Sequence, residues 1–207
     1  MPDAGAWEED YIRRGMLWGG VTHDLPEIPV RSRVLELGCG NGKTLTAMIQ
    51  RRWDVTAIDF ATRAVTLSKR LVRGASHGDV MVADARCLPF KNNSFDAVFA
   101  LHVIGHNHKV DRVRIISELP HILKPGGTLF FSDFSINDFR FGKGNETEPA
   151  TFWRSPGIIT HYFTQEEVTD LFSKFTLVSI CIHQWPMRIL GNTLVRSEIQ
   201  AIFTRYG

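Results

Sequence analysis

A glycine-rich segment at residues 38–42 (GCGNG) could hold a ligand against bare backbone amides. It follows an apolar run of strand length and precedes a stretch with helical spacing. Glycines at such a turn permit unusual backbone angles and the close approach of a ligand. Lys43 stands where the dinucleotide fingerprint GxGxxG would have its third glycine, which argues against NAD. The alternative is a tight turn with a purely structural role.

Two acidic residues follow the next two apolar runs. Asp59 ends the β-branched run 55–59, and Asp84 follows residues 80–83. A carboxylate at a strand end can accept hydrogen bonds from both hydroxyls of a ribose, and a second one could accept from an adenine amino group. The alternative for Asp59 is a helix N-cap. Two acids at two strand ends beside one glycine turn indicate a common binding site.

Three histidines, His102, His106 and His108, lie just after the fourth apolar run. Imidazole is a common metal ligand, but the spacing is not HExxH and no Cys or carboxylate completes a set, so we predict no metal site. We expect His102 or His106 to line the substrate pocket or to act as a general base. The alternative is an ordinary hydrogen-bonded loop histidine.

Asp133 ends the fifth apolar run and completes the set of candidate catalytic residues. We expect it to face the same cleft as the histidines and to bind a cationic or hydroxyl-bearing substrate. Capping of the next turn is the alternative. Arg140, Lys143 and Lys174 are interpreted as solvated surface.

The elements that must position these residues alternate between strand and helix patterns. Strands are predicted at 33–38, 55–59, 80–83, 97–101 and 128–131, and helices at 43–52, 62–72, 110–123 and 165–172. This alternation predicts a parallel α/β sheet with buried strands. Two longer runs, 175–184 and 194–204, are joined by a short turn and predict a C-terminal antiparallel hairpin. Binding sites in such open sheets lie at the carboxyl ends of the strands.

Composition narrows the class of protein. A chain of 207 residues with 43% apolar residues favours one domain spanning 1–207. The net charge of +2 lacks the basic excess of a dedicated nucleic-acid binder, so a nucleic-acid partner is not expected. The three cysteines are scattered without a CxxC pair, which favours a cytoplasmic protein without disulfides. No apolar run approaches the roughly 20 residues of a membrane span, so we expect a soluble protein.

Five ordered motifs resemble those of class I S-adenosylmethionine (SAM)-dependent methyltransferases. They are VLELGCGNG at 34–42, the strand end at Asp59, DARCLPF at 84–90, SFDAV at 94–98 and LKPGG at 123–127. The resemblance covers residues 33–133. It implies a Rossmann-like, mostly parallel seven-stranded sheet in which the C-terminal hairpin supplies the last two strands.

The same resemblance implies roles in binding SAM, whose product is S-adenosylhomocysteine. Glu36 and the glycine turn would hold the methionine moiety, Asp59 the ribose, and Asp84 with Ala85 the adenine. Phe60 would pack on the adenosine, although a core position is equally compatible. The implied cofactor contacts are, in chain order, Glu36, Gly38, Cys39, Gly40, Asp59, Phe60, Asp84, Ala85 and Leu101.

A second resemblance involves residues 139–149 and 160–167, which are similar to methyltransferases related to the tellurite-resistance proteins. It implies a lid inserted at 134–163 that closes over the acceptor, in a segment too long for an ordinary connection. It also implies an N-terminal arm at 1–30, whose Trp7, Tyr11 and Trp18 fold across the cofactor. The alternative is an aromatic helix packed on the core.

These observations predict an enzyme that transfers a methyl group from SAM to an N, S or O atom of a small molecule. Transfer is an in-line displacement, in which the protein mainly positions the nucleophile. A general base helps only when the acceptor atom carries a proton. The alternatives are a methyltransferase acting on tRNA or protein, and a SAM-binding module without activity.

Overall fold

The structure, a computed structural model, describes residues 4–15, 25–155 and 157–207. Within these ranges the strands are β1 (Arg33–Leu37), β2 (Asp54–Asp59), β3 (Gly78–Val82), β4 (Phe95–Leu101), β5 (Leu123–Phe134), β6 (Glu146–Glu148), β7 (Thr151–Ser155), β8 (Ile158–His161), β9 (Phe175–Ile189) and β10 (Asn192–Arg205). The helices are α1 (Ala4–Arg14), α2 (Lys43–Gln50), α3 (Thr62–Leu71), α4 (Lys109–Ile122) and α5 (Gln165–Leu171), with a short 3-10 helix at Ile104–His106.

The main sheet has the strand order β3-β2-β1-β4-β5-β10-β9. Neighbouring strands from β3 to β5 are parallel, whereas β10 is antiparallel to both β5 and β9. The predicted Rossmann-like sheet with a C-terminal antiparallel hairpin is therefore confirmed. The strand order reverses between β1 and β4, and ligands of open α/β sheets bind at such a switch point.

Two apolar layers cover the faces of this sheet. Val34 and Phe130 pack with α2 on one face, while their chain neighbours Leu35 and Phe131 pack with α4 and α5 on the other. Successive side chains of a strand point to opposite faces, so a strand covered on both sides reads as a continuous apolar run. This is why these strands could be recognised in the sequence.

The hairpin of β9 and β10 extends past the main sheet. Pairing of β10 with β5 begins only at Glu198, opposite Phe134, the last residue of β5. The preceding residues of β10 pair with β9 alone. The outer part of the hairpin therefore lies beyond the carboxyl end of β5, on the side where this fold binds ligands.

The segment 134–163, predicted as a lid, contains a small antiparallel sheet of β6, β7 and β8. All four residues of β8 are buried, and Phe134, Phe152 and Tyr162 form a separate apolar cluster. These strands have three to five residues each, too short to show the alternation by which a strand is recognised in sequence. Closure over an acceptor stays a prediction.

Helix α1 packs against α3 near the glycine turn. Tyr11 is buried in a cluster with Ala61 and Ala64, and Oε2 of Glu8 accepts a 2.9 Å hydrogen bond from the backbone N–H of Arg63. Glu8 thereby satisfies one of the free amides in the first turn of α3. Trp18 of the predicted arm lies outside the described residues. In the described part of the chain, no helix is long and apolar enough to cross a membrane.

Candidate functional site

The glycine turn connects β1 to α2 in a backbone conformation that suits glycine. Gly38, Gly40 and Gly42 have φ angles of 63°, 55° and 82°, in the left-handed region that L side chains rarely adopt. A Cβ atom on Gly38 would lie 2.7 Å from Cγ2 of Val103. Both strain and packing therefore require glycine at position 38, and the bare backbone forms one wall of a cavity.

This cavity, of about 970 Å³, opens at the carboxyl ends of β1, β2, β4 and β5. Its volume is near the upper end of the range for small-molecule sites, roughly 300–1,000 Å³. The predicted site residues that line it are Glu36, Gly38, Cys39, Gly40, Asp59, Phe60, Leu101, His102 and His106, and Trp7 and Tyr11 of the predicted arm also line it. Asp84 and Ala85 line a smaller adjoining pocket of about 40 Å³, which shares Gly38, Asp59 and Phe60 with the cavity. The fold thus brings together the candidate cofactor residues.

Glu36 supplies a buried carboxyl group with an unused acceptor. Its Oε2 atom is buried and has no hydrogen-bond partner among the described residues. Burial, together with the nearby Asp59 carboxylate, raises the pKa of Glu36 to about 8. A positively charged ligand group would stabilise the ionised form. Glu36 therefore fits SAM, which is cationic at its sulfur and amino group.

Asp59 is held at the end of β2 by backbone amides. Its Oδ2 accepts from the N–H of Gly40 at 2.9 Å, and its Oδ1 accepts from the N–H of Ala61 at 2.9 Å. Burial raises its pKa to about 6 against the opposing effect of these bonds. The bond to Ala61 is similar to the helix N-cap interaction that the sequence offered as the alternative role of Asp59. Each carboxylate oxygen can accept a further hydrogen bond, so a ribose contact stays compatible.

Asp84 is oriented by an arginine that sequence reasoning did not single out. Nη2 of Arg86 lies 2.6 Å from Oδ2 of Asp84, and Nε of Arg86 lies 3.0 Å from both carboxylate oxygens. This pairing holds the pKa of Asp84 below its usual value. Asp84 therefore presents an ionised acceptor beside the smaller pocket.

Cys39, within the glycine turn, is unsuited to nucleophilic chemistry. Burial raises the pKa of its thiol, and the carboxyl groups of Glu36 and Asp59 add to the effect. The thiolate is the reactive form of cysteine. Cys39 therefore serves the cavity wall as a small apolar group.

His106 and His102 both line the cavity, but their ring nitrogens are engaged differently. Nδ1 of His106 lies 2.8 Å from the carbonyl oxygen of Ile159. Because a carbonyl only accepts, Nδ1 carries the proton and Nε2 keeps its lone pair. Burial holds the pKa of His106 below its usual value, which favours the neutral ring. His102 instead contacts Glu198 through Nε2 at 3.1 Å, and its Nδ1 lies 4.0 Å from Asp133.

Asp133 does not face the cavity, contrary to the expectation from its position. Its side chain is fully buried, its Oδ2 accepts from the N–H of Gly105 at 2.7 Å, and its Oδ1 accepts from the N–H of Phe134 at 3.0 Å. A Cβ on Gly105 would lie 2.8 Å from Oδ1 of Asp133. Asp133 therefore fixes the short helix that carries His106. Asp133 thus has a structural role, as in the alternative, but the turn that it fixes precedes it in the chain and is not the next turn.

The acceptor side of the cavity contains residues that were not singled out as ligands. They come from the end of β5, the inserted segment and the outer hairpin: Phe134, Arg140, Trp185, Arg196 and Glu198. The interpretation of Arg140 as solvated surface is wrong, because its side chain is only 16% exposed. One sequence signal could have pointed to two of these residues. Arg196 and Glu198 are two residues apart in a predicted strand, so their side chains lie on the same face.

The fold and the site fit the SAM-dependent methyltransferases of the Rossmann-like class. Residues 35–131 match a family model described as a methyltransferase domain. A SAM-dependent methyltransferase from Methanosarcina mazei has the same fold, with a TM-score of 0.71 at 24% identity over 86% of this chain and 94% of that one. The predictions of this enzyme class and of SAM as cofactor are confirmed. The resemblance to the tellurite-resistance-like subgroup stays a prediction.

Two curated relatives differ in what they act on. The tRNA N(3)-cytidine methyltransferase METTL2 of Danio rerio is 32% identical over 165 residues, covering 73% of this chain and 47% of the relative. The 2-methyl-6-phytyl-1,4-hydroquinone methyltransferase of Synechocystis is 28% identical over 148 residues, covering 71% and 43%. The chain spans about half the length of the curated relatives it matches.

The expectation that a nucleic-acid partner is absent is wrong, and the expectation of a small-molecule substrate is not confirmed. Curated relatives from fish, chicken, frog, fly, cattle and human are tRNA methyltransferases. The expectation relied on a net charge of +2 averaged over the whole chain. Such an average does not report where individual charges lie, and Arg140 and Arg196 both line the cavity.

Proposed function

We propose that this protein methylates a nucleobase of RNA, with the ring nitrogen N3 of cytosine as the acceptor atom. The observation that carries this proposal is the similarity to tRNA N(3)-cytidine methyltransferases. The alignment with the Danio rerio relative spans 165 residues, and the matched methyltransferase domain spans only residues 35–131. The similarity therefore includes parts of the chain outside that domain.

In this proposal the cofactor occupies the side of the cavity formed by β1 and β2. Glu36 and the glycine turn hold the methionine moiety, Asp59 the ribose, and Asp84 with Ala85 the adenine. When bound, SAM supplies an activated methyl group on a positively charged sulfur. The unpaired Oε2 of Glu36 and its burial support the cationic end at that position.

The acceptor base lies on the opposite side, near His106 and Phe134. N3 of cytosine carries a lone pair and no proton, so it attacks the methyl carbon directly while the carbon–sulfur bond breaks and its electron pair stays on sulfur. The positive charge passes to the methylated base. The chain must therefore align the reacting atoms rather than remove a proton first. The neutral Nε2 of His106 can accept a hydrogen bond from the exocyclic amine of cytosine and so orient the ring.

The proposal is tested by incubating the protein with methyl-labelled SAM and unmodified tRNA transcripts. Digestion to nucleosides and mass spectrometry should then reveal 3-methylcytidine. Parallel reactions contain single-stranded DNA and a hydroquinone, and a Gly38→Val variant serves as the control for cofactor-dependent labelling. Label in the hydroquinone with none in any RNA would refute the proposal.

A further inference from the structure

A pair of arginines forms one wall of the cavity on its acceptor side. The guanidinium carbon of Arg140 lies 4.1 Å from the ring centre of Phe134, and that of Arg196 lies 4.3 Å from the same ring. Nε of Arg140 lies 2.9 Å from Oδ1 of Asp138, and Nε of Arg196 lies 3.2 Å from Oδ2. One aromatic ring and one carboxylate thus hold both cations in place.

The arginine pair has more donors than its surroundings can accept. Each guanidinium carries several N–H donors, whereas Asp138 also accepts from the backbone N–H groups of Arg140 and Ser197, each at 3.1 Å. Nη2 of Arg140 is buried and has no hydrogen-bond partner among the described residues. The cluster therefore has room for a ligand that offers several acceptor oxygens.

The charges of the two arginines also favour an anionic ligand. Asp138 neutralises one of the two guanidinium groups. Glu198, two residues along β10 from Arg196, contacts His102 and offsets only part of the positive charge of Arg196. The side chains of Arg140 and Arg196 are only 16% and 13% exposed, so water screens their charges poorly. Burial and the neighbouring Arg140 lower the pKa of Arg196 to about 10. An anion between the two arginines would relieve this repulsion.

The location of the pair relates it to the acceptor and not to the cofactor. Arg140, Arg196 and Phe134 line the same cavity as Glu36, whereas Asp138 lies behind the wall with its side chain fully buried. Arg196 belongs to the part of β10 that extends past the end of β5. Trp185 of β9 pairs with Arg196 across the hairpin and also lines the cavity. A flat base beside these rings would place an attached phosphate near the guanidinium groups.

We propose that Arg140 and Arg196 together bind a phosphate group of the nucleotide whose base is methylated. The inference rests on the function proposed above, because it assumes a nucleotide acceptor. Arginine suits this role because its planar fork can bind two phosphate oxygens at once. The site would favour a nucleotide over the free nucleoside.

The test measures binding separately from catalysis. Fluorescence anisotropy with a labelled cytidine-containing oligoribonucleotide gives the dissociation constants of the wild type and of the Arg140→Gln and Arg196→Gln variants. We expect each variant to bind at least about 10-fold more weakly, with a salt slope reduced by about one. Arg114→Gln, which removes an exposed charge on α4, is the matched control and should have little effect. Thermal midpoints and S-adenosylhomocysteine affinity check that the variants are folded.

A second oligonucleotide carries neutral methylphosphonates at the phosphates flanking the cytidine. The wild type should lose affinity for it, and the two arginine variants should lose little more. Cytidine monophosphate competes in a separate titration and distinguishes a terminal phosphate from a phosphodiester. Losses no larger than that of Arg114→Gln, or arginine effects that persist in full on the neutral backbone, would overturn the inference.

The two proposals can fail independently. If the wild type methylates RNA but the arginine variants bind and react normally, the phosphate site is wrong and the function stands. If no RNA is methylated but nucleotide binding depends on Arg140 and Arg196 and on the phosphate charge, the site stands and the function is wrong.

Discussion

Replacing Glu36 with Gln should remove most of the pH dependence of SAM binding. In the free protein, burial and the Asp59 carboxylate raise the pKa of Glu36 to about 8, so the group is mostly protonated at neutral pH. A cationic cofactor beside the unpaired Oε2 favours the ionised form and lowers this pKa. Binding should therefore release a proton below pH 8, and affinity should increase with pH up to that value.

The size of the effect follows from the pKa. A carboxyl group with a pKa of about 8 is ionised in about 1% of molecules at pH 6 and in about half of them at pH 8. If only the ionised form binds well, SAM affinity should rise about 50-fold across this window. Above pH 8 the rise should flatten, because Glu36 is then already mostly ionised and the amino group of the cofactor loses its own charge.

Isothermal titration calorimetry at several pH values measures this directly. Titrations in two buffers of different ionisation enthalpy give both the dissociation constant and the number of protons released. The wild type should release close to one proton per SAM at pH 6 to 7, and Glu36→Gln should release far fewer. Gln has nearly the same shape as Glu, so the cavity is preserved.

Identical pH profiles for the two proteins, with no proton released by the wild type, would show that Glu36 does not meet the cationic end of the cofactor.

The pH dependence of protein stability offers an independent check on the pKa of Glu36. Because the folded-state pKa is raised above the ordinary glutamate value of 4.5, the contribution of Glu36 to stability should be lost as pH rises from about 4.5 through about 8. The thermal midpoint of the cofactor-free variant should decrease less over that range than that of the wild type.

Three further predictions concern other parts of the site. Asp59→Ala should weaken SAM binding by about 1–3 kcal/mol through loss of a charged acceptor, and unchanged affinity in calorimetry would refute the ribose contact. His106→Ala should raise the KM for RNA and lower kcat by less than about 10-fold, because N3 of cytosine has no proton to remove. A loss in kcat of about 10²–10⁴-fold would instead indicate that His106 is a general base and that the acceptor atom carries a proton. Within the predicted lid at 134–163, limited proteolysis should cut the exposed stretch 141–147 in the free protein and spare it once cofactor and RNA are bound; equal cleavage in both states would contradict lid closure.

The sheet and the candidate cofactor residues could be predicted from the sequence because their signals are local. Strands covered on both faces appear as continuous apolar runs, and the turn at 38–42 needs glycine for its backbone angles. Asp59 and Asp84 follow directly on two of these strands, and parallel strands bring their carboxyl ends to the same edge. Short sequence motifs are therefore enough to identify most of the residues on the cofactor side of the cavity.

The residues that form the acceptor side of the cavity could be identified only from the tertiary structure. Phe134, Asp138 and Arg140 come from one stretch of the chain and Arg196 comes from β10. They meet because the outer hairpin extends past β5 and lies near the inserted segment. The short strands β6 to β8 have no readable period, and the position of Asp133 could not reveal that the amide of Gly105 would take its carboxylate. The net charge of the chain also could not reveal that Arg140 and Arg196 pair with the same buried aspartate, Asp138. These are long-range contacts, and their geometry exists only once the sheet has positioned the segments that make them.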